Sequence, residues 1–279
     1  MNFLVLGSRG MLGTDLCQAL ASVGKVVGLD QEEVDVTDQV AVTRVVAESE
    51  PNVVVNATGY TDVDGAETNR ETAFQLNAEA VSHIAQAVAQ VRAKLIHFST
   101  EYVFDGTNQA GYDEAAVPSP LSVYGESKAA GERHVLDYEQ GYLVRTSWLY
   151  GKSPQRGKPR GMNFVDTVLK LAVEKPEVRV VNDQHGKPTS TQDLAQAVRE
   201  LVGGNYQPGI YHLVNEGVAT WYDIASQAFK FKGITTPLVP ITSSEYLMSA
   251  KRPAYAVLMN TKFPKLRPWQ EALAAYLAL

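Results

Sequence analysis

The chain of 279 residues has 45% hydrophobic content, enough to bury a substantial core, so it is neither disordered nor fibrous. Its net charge of -6 offers no basic footprint for nucleic acid or for an anionic membrane, and neither partner is expected. A single cysteine, Cys17, excludes an internal disulfide, and no run approaches the roughly 20 apolar residues of a membrane span, so the expected compartment is the cytoplasm.

The N-terminal run is apolar, lacks a basic leader and reaches a glycine turn too soon for a signal peptide. Phe3 to Leu6 reads as a buried strand, and helical spacing follows from Met11 to Val23. Between them Gly7, Gly10 and Gly13 form a G-x-x-G-x-x-G turn, a variant of the dinucleotide fingerprint. Glycines there permit a tight turn and close approach of backbone to a pyrophosphate, whose charge rests on the helix N-terminus. Val26 to Leu29 is the next strand and ends at Asp30, where a carboxylate accepts hydrogen bonds from ribose hydroxyls. Asp30, Glu32 and Glu33 repel a 2′-phosphate and favour NADH, whereas Arg9 can pair with that phosphate. The choice between NADH and NADPH stays open, and use of either is expected.

Farther along, helical patterns at Asp38 to Glu48, Glu71 to Val91 and Glu126 to Asp137 alternate with strands at Val53 to Asn56, Leu95 to Ser99 and Tyr142 to Thr146. The repeat predicts an α/β fold: a doubly wound, parallel, Rossmann-type sheet, with ligands beyond the carboxyl ends of its strands. Residues 153–161, S-P-Q-R-G-K-P-R-G, read as a basic lid or linker. Val178 to Val181 and Ile210 to Val214 read as further strands around a helix at Gln192 to Val202. The expected organisation is a dinucleotide-binding domain at 1–150, its sheet completed by about 178–215. A smaller C-terminal substrate lobe takes 151–177 and 216–279.

Tyr124 and Lys128 stand four apart in S-V-Y-G-E-S-K, on one helix face, so a phenol and an ammonium can reach one reaction centre. A free tyrosine titrates near pH ~10, and a nearby lysine is expected to bring it toward neutrality. Ser99 and Thr100 follow the fourth strand, where their hydroxyls can donate to a carbonyl oxygen while Tyr124 delivers its proton. The five histidines show no metal-ligand spacing. Among them only His185 is expected near the site.

These features, with V-D-G-A-E at 63–67, S-T-E-Y-V-F-D-G at 99–106, R-T-S-W-L-Y-G at 145–151 and N-D-Q-H-G-K-P-T-S at 182–190, resemble the extended short-chain dehydrogenase/reductase family nearly end to end. The resemblance implies reduction of the C4′ ketone of dTDP-4-dehydro-6-deoxy-L-mannose to dTDP-L-rhamnose by NADPH or NADH. By position it makes Thr100, Tyr124 and Lys128 the catalytic trio, with Lys128 also holding the nicotinamide ribose. It makes Arg9, Gly10, Met11 and Leu12 the pyrophosphate turn, Asp30 the ribose contact, Asp35 and Val36 the adenine contact, and Gly59, Tyr60 and Thr61 the loop lining the cofactor. Glu101 and Trp148 fall where the family contacts the sugar. Relatives are often homodimers.

The chain departs from the family's pattern at Gly65 (a lysine), Glu101 (an aspartate) and Ala256 (a serine), which bears on nucleotide-sugar affinity more than on hydride chemistry. Some relatives bind Mg²⁺ near positions matching Asp15 and Asp193. Two short carboxylates suit its octahedral demand poorly, so Mg²⁺ is a possible but not a favoured occupant there. Dehydratases of this fold follow the threonine with two acids, whereas here Glu101 is followed by Tyr102. Epimerases of this fold retain their NAD through each turnover, whereas a reductase exchanges its cofactor. A non-catalytic binding subunit, like the regulatory subunit of methionine adenosyltransferase, shares the fold, but the intact trio argues for turnover.

Overall fold

A computed structural model describes residues 1–157 and 161–278 of the chain. Residues 158–160 of the basic segment expected at 153–161 lie outside the described residues.

The first half alternates strand and helix: β1 (Asn2–Leu6), α1 (Met11–Ala21), β2 (Lys25–Leu29), α2 (Gln39–Ser49), β3 (Val53–Asn56), α3 (Val63–Thr68), α4 (Arg70–Phe74), α5 (Ala80–Val91), β4 (Lys94–Thr100), α6 (Val123–Leu136) and β5 (Gly141–Thr146). Then come β6 (Leu149–Tyr150), α7 (Phe164–Glu174), β7 (Val178–Val181), β8 (His185–Gly186), β9 (Thr189–Ser190) and α8 (Thr191–Gly203). The chain continues through β10 (Gly209–His212), β11 (Ala219–Thr220), α9 (Trp221–Lys232), β12 (Leu238–Ile241) and α10 (Trp269–Ala278).

Six strands form one parallel sheet in the order β10-β5-β4-β3-β1-β2. Side chains alternate across it with period two. Phe3, Val5, Val53, Val55, Ile96 and Phe98 meet α1 and α8 on one face, while Leu4, Leu6, Val54 and Leu95 meet α2 and α5 on the other. The chain steps from β1 outward to β2, then returns past β1 to β3. That reversal opens a crevice at the carboxyl ends of β1 and β3.

Three local expectations change. Val178–Val181 stays out of the main sheet and pairs with Leu238–Ile241 in a separate parallel ribbon. Its valines are buried because α7 and α9 cover them through Val168, Ala225 and Phe229, so the run resembles a main-sheet strand. The helix expected from Glu71 to Val91 is broken by a π-helical turn at Gln75–Glu79. Finally, α6 begins at Val123, not Glu126, because Ser122 caps it by accepting from the Gly125 N–H at 3.2 Å. Tyr124 thereby enters the first helical turn.

Candidate active site

The turn after β1 holds Gly7 at φ +78°, a left-handed conformation, with so little room that a Cβ would lie 2.9 Å from the Ala57 carbonyl oxygen. A Cβ on Gly13 would collide with the Gly7 carbonyl. The backbone thus folds tightly onto the start of α1, whose N-cap, Gly10, brings no capping side chain to the free N–H groups. That cradle fits a pyrophosphate. Met11 is buried, and Leu12 packs on the core beneath the sheet.

At the end of β2, Asp30 accepts from the Arg9 N–H and the Gln31 N–H, each at 2.8 Å, and from Arg156 Nη1 at 2.9 Å. Arg9 also pairs with Glu32 at 2.9 Å and with Glu33. Asp30, Arg9 and the glycine turn therefore meet at the carboxyl edge of the sheet. Asp35 accepts from the Thr37 N–H and hydroxyl at 2.9 and 2.7 Å, bonds that lower its pKa, and Val36 is buried with α2 in the core.

The loop after β3 is fixed by buried amides. Asn56 accepts from the Thr58 N–H and hydroxyl and meets His97 Nδ1 at 3.0 Å. Asn77, in the π turn, accepts from the Tyr60 N–H at 2.9 Å and donates to the Tyr60 carbonyl and to Ser127 Oγ on α6. Tyr60 is thereby tied to α6, the helix that carries Tyr124 and Lys128, and a Cβ on neighbouring Gly59 would lie 3.8 Å from Lys128 Nζ. The sequence reading missed Asn77 and Ser127; Ser127 sits between Glu126 and Lys128 and Asn77 between Gln75 and Glu79, so nothing local marks them and their burial appears only in the fold.

Thr100 ends β4, and α6 brings Tyr124 and Lys128 beside it. The Thr100 hydroxyl donates to Glu101 Oε2 at 2.8 Å, and Lys128 Nζ donates to the Phe98 carbonyl at 2.7 Å. The expected lowering of the Tyr124 pKa by Lys128 is not found. Burial pushes Tyr124 up, the Glu101 carboxylate adds to this, and hydrogen bonding with Thr100 only partly opposes it. Burial also lowers Lys128 to about 8, against the pull of Glu132. Desolvation and the Glu101 charge, not Lys128, set the direction at Tyr124. Tyr124 is therefore held as a neutral phenol, the form that donates a proton.

Glu101 is buried, and that burial raises its carboxyl to about 7, with Thr100 and Trp148 hydrogen bonds opposing. Trp148 has φ +48°, and its ring stacks on Trp221 at 3.8 Å between centroids. Gly186 also lies against the indole, where a Cβ would come within 2.6 Å of it; neighbouring His185 faces Tyr255 at 5.3 Å between rings. The departures sit close by. Gly65 donates its N–H to Asp62 at the start of α3, next to Asp64, which pairs with Arg252 at 2.6 Å. Ala256 is buried.

Asp15 accepts from the Thr191 hydroxyl at 2.5 Å and Asp193 pairs with Arg267 at 2.8 Å; the two aspartates line one surface depression. Among the described residues no group of three or more His, Cys, Asp or Glu could hold a metal, and no helix is long and apolar enough to cross a membrane.

Together the doubly wound sheet, the glycine cradle and the Thr100, Tyr124, Lys128 trio define the class of extended short-chain oxidoreductases. The family model described as RmlD substrate binding domain matches residues 1–279, and the chain belongs to that family. It is 40% identical over 284 residues to dTDP-4-dehydrorhamnose reductase of Streptomyces griseus, covering 97% of this chain and 91% of that one. It is 38% identical over 280 residues to spore coat polysaccharide biosynthesis protein SpsK of Bacillus subtilis, covering 98% and 96%. Its structure matches dTDP-4-dehydrorhamnose reductase of Bacillus anthracis, solved in complex with NADP, with a TM-score of 0.93, 34% identity and coverage of 99% and 98%.

Proposed function

We propose that this chain is an oxidoreductase that reduces the C4′ ketone of dTDP-4-dehydro-6-deoxy-L-mannose to dTDP-L-rhamnose, using NADPH or NADH. The reading rests on one observation above all: Thr100, Tyr124 and Lys128 converge beside a dinucleotide cradle, in a chain whose relatives bear the reductase name over nearly their full length. The NADP held by the Bacillus anthracis relative supports NADPH as a cofactor here.

When bound, the reduced nicotinamide supplies hydride to the ketone carbon. The chain's own side chains govern everything around that transfer. The turn of Gly7, Arg9, Gly10, Met11, Leu12 and Gly13 receives the pyrophosphate, with Asp30 at the ribose, Asp35 and Val36 toward the adenine, and Gly59, Tyr60 and Thr61 along the groove. Thr100 orients the ketone oxygen, and neutral Tyr124 gives that oxygen its proton. Lys128 holds the nicotinamide ribose and offsets the charge left on the Tyr124 phenolate. Glu101 and Trp148 contact the sugar, Trp148 as a flat apolar wall.

In this reading the dinucleotide-binding unit is 1–150 completed by α8 and β10, and the substrate lobe is 151–177 and 216–279 with β7 added. The enzyme works in the cytoplasm on a nucleotide sugar, and a homodimer is the assembly that family resemblance implies. The test is loss of reduced-nicotinamide absorbance on addition of dTDP-4-dehydro-6-deoxy-L-mannose, with the product identified by NMR. Formation of dTDP-L-rhamnose supports the reading; tight dinucleotide binding without turnover points to a different sugar or to a non-catalytic subunit.

A further inference from the structure

The segment that leaves β6 runs back over the carboxyl edge of the sheet. Gly157 lies against Thr61, so close that a Cβ would collide with the threonine hydroxyl. One residue earlier, Arg156 donates to Asp30 at 2.9 Å and to Glu32 at 2.5 Å. Thr61 follows β3 and Asp30 follows β2, and β1 with its glycine turn stands between those strands in the sheet. The Arg156–Gly157 pair therefore touches both banks of the dinucleotide groove.

Arg156 is one of two guanidiniums interleaved with three carboxylates there. Arg9 takes Glu32 and Glu33, while Arg156 takes Asp30 and shares Glu32. Hydrogen bonding from Arg156 is the largest influence holding the Glu32 carboxyl down at about 2. Yet the Arg156 and Glu32 side chains are 43% and 50% exposed, so water screens the pair and a stronger anion displaces it readily. A phosphate dianion is such an anion, because guanidinium grips it through paired, charge-assisted hydrogen bonds. Asp30 meanwhile cannot serve Arg156 and the ribose hydroxyls equally: two backbone N–H groups already occupy its oxygens.

We propose that Arg156 is a cofactor-specificity residue, exchanging Asp30 and Glu32 for the 2′-phosphate of NADPH and sharing that phosphate with Arg9. The inference rests on the reductase reading above. With NADH, Arg156 yields Asp30 to the ribose and gains no phosphate, so the residue separates the two cofactors.

The test measures Kd for NADPH and for NADH by calorimetry on the full chain, comparing wild type with Arg156→Gln and Arg156→Lys. Arg156→Gln is expected to weaken NADPH by about tenfold or more, the scale of one lost charge-assisted contact. NADH stays within about threefold, and Arg156→Lys recovers part of the NADPH affinity. Added salt weakens NADPH more in wild type than in Arg156→Gln. Equal losses for both cofactors, or no loss for either, overturn the assignment while leaving the reductase reading intact. Failure of wild type to bind either dinucleotide overturns that reading and the assignment with it.

Discussion

Glu132 on α6 and Arg145 on β5 meet as a two-pronged ion pair inside the protein, with Nε to Oε1 at 2.9 Å and Nη2 to Oε2 at 2.7 Å. Their side chains are 3% and 1% exposed, and Ser99 adds a 2.5 Å hydrogen bond to Oε1. The pair ties the helix of Tyr124 and Lys128 to the strand ends beside Thr100, so it sets the distance between the elements of the trio. Removing one partner leaves a buried charge alone, which costs far more than the pair itself contributes. Glu132→Ala is expected to lose about 3–5 kcal/mol in urea unfolding. A loss below about 1 kcal/mol, the range of an exposed pair, would contradict this account.

Glu101 makes stability depend on pH. Its folded carboxyl titrates at about 7, above the ordinary value of 4.5, because burial opposes its charge. The native state therefore binds more protons than the unfolded chain between those two values. The resulting stabilisation is fully present below about pH 4.5 and is lost as pH rises through about 7, with a slope near 1.4 kcal/mol per unit inside the window. Glu101→Gln is expected to flatten this dependence. Thermal unfolding of both proteins across the window checks it, and parallel curves would count against the buried acid.

Trp148 occupies φ +48°, which a bulky residue adopts only when its surroundings over-determine it. Trp221 supplies one wall by stacking, and is itself fixed by a 3.0 Å hydrogen bond from Nε1 to Gln184. Trp221→Leu is therefore expected to raise KM for the nucleotide sugar about tenfold with a smaller change in kcat, while Trp221→Phe keeps most of the stack. A fall in kcat with KM unchanged would show that Trp221 does not act through the sugar wall.

What the chain discloses locally is periodicity and spacing. The alternation Phe3, Val5 against Leu4, Leu6 shows a strand buried on both faces, and Tyr124 with Lys128 declares a shared helix face. The run at Val178 misleads because helices bury a ribbon strand as thoroughly as a main-sheet strand. The Tyr124 pKa misleads because it depends on burial and on Glu101, neither readable from a four-residue spacing. Asn77 with Ser127, 50 residues apart, and Arg156 with Asp30, 126 apart, are contacts that only the folded chain creates.

The central claim is that Tyr124 delivers the proton to the ketone oxygen of a nucleotide 4-keto sugar. Its most direct test compares wild type and Tyr124→Phe in reduced-nicotinamide turnover with dTDP-4-dehydro-6-deoxy-L-mannose. The account predicts a fall in kcat of at least about 100-fold, the scale of general acid catalysis, with NADPH binding preserved. Near-wild-type turnover by Tyr124→Phe would contradict it.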